Sequence, residues 1–381
     1  MRLCQVRWRV KSPAVSVDPR LEQYAKLLVD DCVGVQPGWQ VLVIAQPLAR
    51  PLYQEVVRQI ARRGAYVLPR INYSEMGVDP VWLNEAPEEL LREVPSIQRF
   101  ELENIDCYIA LLAPENTREG ADIPQERIAL VQEAFRPLSE PFMAYEKPWV
   151  GCQYPTNALA QEAGMSLGAF EEFLYGSVLI DWPALERDME KIKERLDRAD
   201  EVRIVAVGTD LLLSLAGREG TVSGARANMP SGEVFYGPIE DSAEGVIEFG
   251  EFPATYLGRK MDGIRLVFED GRVTEASARS NEDFLIQVLD TDEGARRVGE
   301  FGIGCNPGIQ QYMNNTLFDE KIEGTVHLAL GRSYPFTGGT NTSAIHLDIV
   351  KELRQGGRLE CDGEVVQENG RWMLERDASK V

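Results

Sequence analysis

The feature that most constrains the fold is a change of hydrophobic period near residue 200. Before it, short unbroken apolar runs, Val41-Leu-Val-Ile-Ala45, Ala65-Tyr-Val-Leu68 and Cys107-Tyr-Ile-Ala-Leu-Leu112, are separated by segments of helical spacing. Leu21, Tyr24, Ala25 and Leu28 share one helical face, closed by Gly34 and Pro37-Gly38; Leu52, Val56 and Ile60 mark a second helix that ends near Gly64. Unbroken apolar runs suit strands buried on both faces, with helices supplying the cover, so a mostly parallel sheet is expected. A long helix follows, with Asp181 as its cap, Pro183 in its first turn and a stripe of Leu185, Met189, Ile192 and Leu196.

Beyond Asp200 the pattern changes to strands and hairpins. Arg203-Ile-Val-Ala-Val207 reads as a strand, and Asp270-Gly271 joins two alternating runs. Asp362-Gly363 and Asn369-Gly370 repeat that turn chemistry, which favours type I′ hairpins between antiparallel strands. The length of 381 residues suits two domains rather than one core. The expected architecture is an α/β N-terminal domain with a mostly parallel sheet over residues 1–200, followed by an α+β, β-rich C-terminal domain over 201–381. No internal repeat or low-complexity segment interrupts it.

Charge narrows the function. Acidic residues outnumber basic ones by 61 to 40, a formal net charge of −21. Such a surface repels phosphate backbones and anionic lipid, so neither nucleic acid nor membrane is an expected partner. No run approaches the roughly 20 apolar residues of a membrane helix. The first eight residues carry charge but no apolar core of signal-peptide length. The six cysteines, Cys4, Cys32, Cys107, Cys152, Cys305 and Cys361, form neither a CxxC pair nor a tight framework. A cytoplasmic protein with reduced thiols is expected.

Only two histidines occur, His327 and His346, both in one stretch of the β-rich half. In Thr325-Val-His-Leu-Ala-Leu330, alternation puts Val326, Leu328 and Leu330 on one face and His327 on the other. In Ala344-Ile-His-Leu-Asp-Ile349, the same rule sets Ile345, Leu347 and Ile349 against His346 and Asp348. A two-residue step on a strand lets both of those side chains reach one point. Gly299-Glu-Phe-Gly-Ile-Gly304 places Glu300, Gly302 and Gly304 on one face, leaving space beside the carboxylate, with Phe301 and Ile303 on the other. Glu233, in Ser231-Gly-Glu-Val-Phe235, is a further candidate that, standing alone, would be read as a solvated loop glutamate.

Imidazole and carboxylate donors without thiolate suit zinc, cobalt or manganese, and carboxylates are the usual bridges between two such ions. Three carboxylates and a bridging hydroxide would balance two divalent cations. One ion held by His327, His346 and Asp348 is the simpler arrangement that the spacing also permits. Gly302-Ile-Gly304 is no dinucleotide loop, since no GxGxxG run continues into a helix. Cys305 has no neighbouring base and reads as a small buried thiol. Asp210 reads as a loop-capping residue without chemistry.

These segments resemble the aminopeptidase T/aminopeptidase S family of metallopeptidases over nearly the full chain. The landmarks are Gln36-Pro-Gly38, Tyr154-Pro-Thr156, Ala160-Gln-Glu-Ala-Gly-Met165, Gly208-Thr-Asp-Leu211 and Gly217-Arg218. More specific are Pro230-Ser-Gly-Glu233, Gly299–Gly304 with Asn306-Pro307, Gly324–Gly331 and Gly338–Asp348. The family pattern of Glu, Glu, His, Tyr, His and Asp has counterparts in Glu233, Glu300, His327, Tyr334, His346 and Asp348. Two departures stand out. The interval between the histidines is shorter than in better-known members, through the Pro335–Gly339 loop, and Leu347 replaces a larger residue.

The resemblance implies a metal-binding C-terminal domain and a dinuclear site of two divalent metal ions (zinc, cobalt or manganese). The ligands would be Glu233, Glu300, His327, His346 and Asp348. It further implies release of N-terminal amino acids from peptides with a free N-terminus. Glu300 would accept the proton of a metal-activated water, Tyr334 would donate to the oxyanion, and a homodimer would turn its sites inward. A non-catalytic metal-binding relative, or a metal hydrolase for another small amide or ester, stays open at this point.

Overall fold

In the computed structural model, which describes residues 18–74 and 76–373, the apolar runs of the first half form a five-stranded sheet. Its order is Tyr66–Ile71, Gln40–Ala45, Cys107–Leu112, Trp149–Gln153, Ala227–Met229. Every neighbouring pair is parallel. Val41, Leu42, Val43, Cys107 and Ile109 are wholly buried, as expected of strands covered on both faces. Pro69 lies in the edge strand, where its missing N–H costs no ladder bond.

The helices follow the sequence pattern with one irregularity. Arg50–Arg62 buries Leu52, Val56 and Ile60. Trp182–Leu196 is capped by Asp181, whose side chain accepts from Ala184 N–H at 3.1 Å, and it buries Met189, Ile192 and Leu196. The first helix, Pro19–Lys26, continues as a π-helical segment, Leu27–Cys32, closed by Val33 N–H donating to Leu28 C=O at 3.2 Å. Helical spacing of apolar residues does not distinguish a π turn from an α turn, so this detail was not readable.

The second half supplies two antiparallel sheets. An eight-stranded sheet contains the three expected hairpins. Asp270-Gly271, Asp362-Gly363 and Asn369-Gly370 all have φ between +49° and +82°, the conformation of type I′ turns. Asp210 sits inside that sheet, on the strand Thr209–Ser214, and not in a loop; it pairs with Arg203 at 2.6 and 2.7 Å. A five-stranded sheet has the order His346–Glu352, Thr325–Gly331, Val298–Gly304, Glu233–Tyr236, Thr221–Ser223.

One face of this last sheet carries Val234, Phe301, Ile303, Val326, Leu328, Leu330, Leu347 and Ile349, all within the larger core cluster. A second core surrounds the parallel sheet, and Met229, Ile309, Met313, Phe318 and Ile322 from the later half belong to it. The later half thus contributes both a strand and core residues to the first. Five cysteines are free and buried; Cys4 lies outside the described residues. No helix among the described residues is long and apolar enough to cross a membrane.

Phe301 is wholly buried in the larger core. Phe301→Ala should therefore cost about 3–5 kcal/mol in denaturant unfolding, whereas Asp181→Ala, which removes one cap, should cost about 1 kcal/mol.

Candidate functional site

Opposite residues in an antiparallel sheet share a face, so register decides which side chains meet. Glu300 lies opposite Ala329, and Ala329 opposite Asp348. Gly302 is opposite both His327 and Phe235; Gly304 is opposite Glu233; Gly331 is opposite His346. Glu233, Glu300, His327, His346 and Asp348 therefore project from four neighbouring strands onto the face away from the core. The register shifts between Val298 and Glu300, a bulge at Gly299. Val298 is thereby left facing the core while Glu300 faces the site, the re-aiming that a bulge provides.

Glycines make the space. A Cβ on Gly302 would lie 2.1 Å from Cε1 and Nε2 of His327, so the imidazole rests directly over that α-carbon. A Cβ on Gly304 would lie 2.1 Å from Ile322 C=O. Its absence lets the segment Glu320-Lys321-Ile322 settle on the Glu233 end of the sheet, where Lys321 C=O accepts from Asn306 N–H at 3.0 Å.

His327 Nε2 is 3.2 Å from Glu300 Oε1 and 3.7 Å from Glu233 Oε2. His346 Nε2 is 3.4 Å from Asp348 Oδ1 and 3.9 Å from Glu300 Oε2. His346 Nδ1 lies 2.9 Å from Arg332 C=O, and as donor there it leaves Nε2, which faces the carboxylates, as the ring's ligand atom once its proton is released. His327 is fully buried whereas the His346 side chain is 28% exposed, so the site is closed behind and open at His346.

Two residues that the sequence did not single out complete the group. Glu320, Glu233 and His327 bring donor atoms within 4.8 Å of one another, as do Glu300, His346 and Asp348. Lys321, wholly buried, pairs with Glu233 Oε1 at 3.3 Å and with Glu320. In sequence, Asp-Glu-Lys reads as an ordinary charged turn; only the approach over Gly304 brings it inward.

The donor set fits divalent metal. Glu233 Oε2, Glu300 Oε2 and Asp348 Oδ1 are buried and have no hydrogen-bond partner among the described residues. Buried carboxylate oxygens without partners are costly, and a bound cation relieves that cost. The four carboxylates less the one ammonium leave three negative charges, so Glu320 and Lys321 cancel and the charge available to cations is that of the three sequence-read carboxylates. Donors are oxygen and nitrogen only; the nearby Cys305 donates to Ile303 C=O at 3.4 Å, and burial pushes its thiol pKa up.

The chain matches the family described as thermophilic metalloprotease (M29) across residues 17–372. The chain belongs to that family. It is 27% identical to Aminopeptidase 2 of Geobacillus stearothermophilus, over 94% of this chain and 98% of that protein. It is also 27% identical to Aminopeptidase AmpS of Bacillus subtilis (strain 168), over 94% of this chain and 99% of that protein. The structure of wild-type AmpT from Thermus thermophilus superimposes with a TM-score of 0.79, covering 93% of this chain and 99% of that one at 24% identity, which establishes the shared fold.

In this metalloprotease the electrostatics follow from crowding. Burial alone would lower the pKa of His327, but Glu300 and Glu233 outweigh it and push it up to about 9. For His346, burial is outweighed by Asp348 and Glu300, which push it up to about 10. Burial raises Glu320 to about 8 against the pull of Lys321, and raises Glu300 against both histidines. Without metal the imidazoles hold protons at neutral pH, and binding must release them. Tyr334 places its ring 5.7 Å from that of His346 and stacks on Phe336 at 5.3 Å. Burial first, then Glu300 and Asp348, raises its hydroxyl pKa. It is therefore both packed and site-facing.

Gly302→Ala should displace the His327 ring and weaken metal uptake at least tenfold, read by elemental analysis, while the fold survives. Lys321→Met leaves two buried carboxylates uncompensated. Its metal-free form should lose about 3–5 kcal/mol, a deficit that added metal should shrink in thermal melts.

Proposed function

We propose that this metalloaminopeptidase removes single residues from the free N-terminus of peptides at a dinuclear metal centre. The observation that carries this reading is the convergence, on two imidazole Nε2 atoms in an open-sided pocket, of three carboxylate oxygens that have no hydrogen-bond partner among the described residues. One ion would be held by Glu233, Glu320 and His327, the other by Glu300, His346 and Asp348. Glu300 would ligate through the oxygen that faces His346, and its other oxygen, on the His327 side, is then free to accept a proton. When bound, divalent ions supply Lewis acidity and lower the pKa of a coordinated water toward neutrality.

The chain's own residues do the rest. Glu300 accepts the water's proton. The raised pKa of Tyr334 keeps its hydroxyl protonated, so it donates to the oxyanion of the scissile carbonyl. The chain's net charge of −21 draws the peptide's amino group toward the site. Held there by an ion or a carboxylate beside it, the amino group would fix the cut one residue from the end. We place the enzyme in the cytoplasm as a homodimer, the latter checked by its mass in solution.

Hydrolysis of aminoacyl-p-nitroanilides should vanish on chelation and return with zinc, cobalt or manganese. Acetylating the substrate's amino group should abolish it. Equal cleavage of acetylated substrates would point to another amide hydrolase; metal binding without any hydrolysis would point to a non-catalytic relative. Tyr334→Phe should lower kcat about 10²–10³-fold with metal content unchanged, whereas a purely packing role would lower Tm and spare kcat.

A further inference from the structure

Tyr145 belongs to the first half, between the helix Gln125–Met143 and the strand Trp149–Gln153, yet its ring meets the metal-site loop. It packs edge-on against Phe336, with centroids 6.1 Å apart at 76°. Phe336 lies 6.1 Å from Phe235 and 5.3 Å from Tyr334; Phe235 and Tyr334 are 5.9 Å apart. The row ends at His346, 5.7 Å from Tyr334. Phe235 stands opposite Gly302, the seat of His327, and so on the same face as the donors.

These rings are not simply core. Tyr145 and Phe336 are each 45% exposed and Tyr334 is 37% exposed, while Phe235 forms the buried floor. Large aromatic faces left open in a row beside charged groups mark a binding surface. The row is also preformed. A Cβ on Gly237 would lie 2.5 Å from Thr337 Oγ1, and Thr337 Oγ1 donates to Tyr334 C=O at 2.7 Å, so the Pro335–Thr337 turn is fixed against the Phe235 strand. Tyr145 itself has φ of 57°, a left-handed conformation that a bulky residue keeps only where its surroundings impose it. Burial first, then the Glu233 charge, raises its hydroxyl pKa, and its ring faces Phe336.

We propose that Tyr145, Phe235 and Phe336 form the wall that receives the side chain of the substrate's first residue, selecting bulky apolar residues and making Tyr145 a specificity determinant supplied by the other half of the chain. The inference rests on the aminopeptidase reading. With the amino group and the scissile carbonyl held at the donors, the side chain on the carbon between them must leave beside Tyr334, and this aromatic row is what adjoins it. Acidic first residues would meet the site carboxylates. An apolar side chain avoids that penalty and gains the ring contacts.

The test compares kcat/KM for phenylalanyl-, leucyl-, alanyl- and aspartyl-p-nitroanilides with metal-loaded enzyme. Phenylalanyl and leucyl substrates should exceed alanyl and aspartyl ones by tenfold or more. Tyr145→Ala and, separately, Phe336→Ala should each lower the phenylalanyl-to-alanyl ratio about tenfold, whereas Tyr145→Phe should keep it. Metal content and solution mass are measured for every variant, and Phe336→Ala carries the test if Tyr145→Ala misfolds. An unchanged ratio in both alanine variants overturns the inference. So does an unchanged ratio with loss of oligomer, which would make the row a subunit contact. If the unaltered enzyme cleaves none of the substrates, the aminopeptidase reading falls and takes this inference with it; cleavage with a flat ratio sinks the inference alone.

Discussion

Four carboxylates crowded onto one sheet face, three of them with an oxygen that accepts no hydrogen bond among the described residues, set the terms for everything around them. Like charges at this separation in a low-dielectric pocket repel strongly, and burial penalises each of them further. The chain answers with one fully buried lysine and two imidazoles, which together fall short of the four carboxylates. The small residues follow from the same need. Gly302 and Gly304 let an imidazole and a whole chain segment approach the sheet more closely than any side chain would permit. The hydrophobic reverse face, from Val234 to Ile349, anchors the strands that hold these groups together.

Much of this was legible in the sequence, for a definite reason. Period-two alternation is a local property, so the facing of His327, His346, Asp348 and Glu300 could be read residue by residue, as could the three type I′ turns. What alternation cannot reveal is register. The bulge that turns Val298 inward beside Glu300 depends on the partner strand. The arrival of Glu320 and Lys321 depends on contact between segments that no short-range pattern links, and the π-helical turn at Leu27–Cys32 on a hydrogen-bond choice that leaves the apolar stripe unchanged. Glu233 read alone as a loop residue; in the fold it begins a buried strand. Tyr145 gave no signal, since its place beside Phe336 exists only once both halves of the chain are assembled.

Family membership and geometry contribute different things. The full-length match establishes a metalloprotease and its fold. The distances among the donors describe how this chain arranges its charge, including the paired Glu320 and Lys321. The loop from Pro335 to Thr337, between the two histidines, is tightly seated on its neighbours. Its rigidity means that whatever meets Phe336 meets a fixed surface.

The strand Ala227–Met229 adds in parallel to the first sheet, and only Pro230, Ser231 and Gly232 separate it from Glu233 in the other. Asn306 bolts that short link in place, donating to Ser231 C=O at 2.7 Å and to Ser177 C=O at 3.0 Å. Glu233 is thus the first residue of its sheet after the chain leaves the other, and it is held there opposite Gly304. Any rotation of one sheet against the other would strain the three-residue link and tug on the strand end that carries Glu233 toward His327. The joint that ties the two halves together therefore also sets how precisely this carboxylate is aimed.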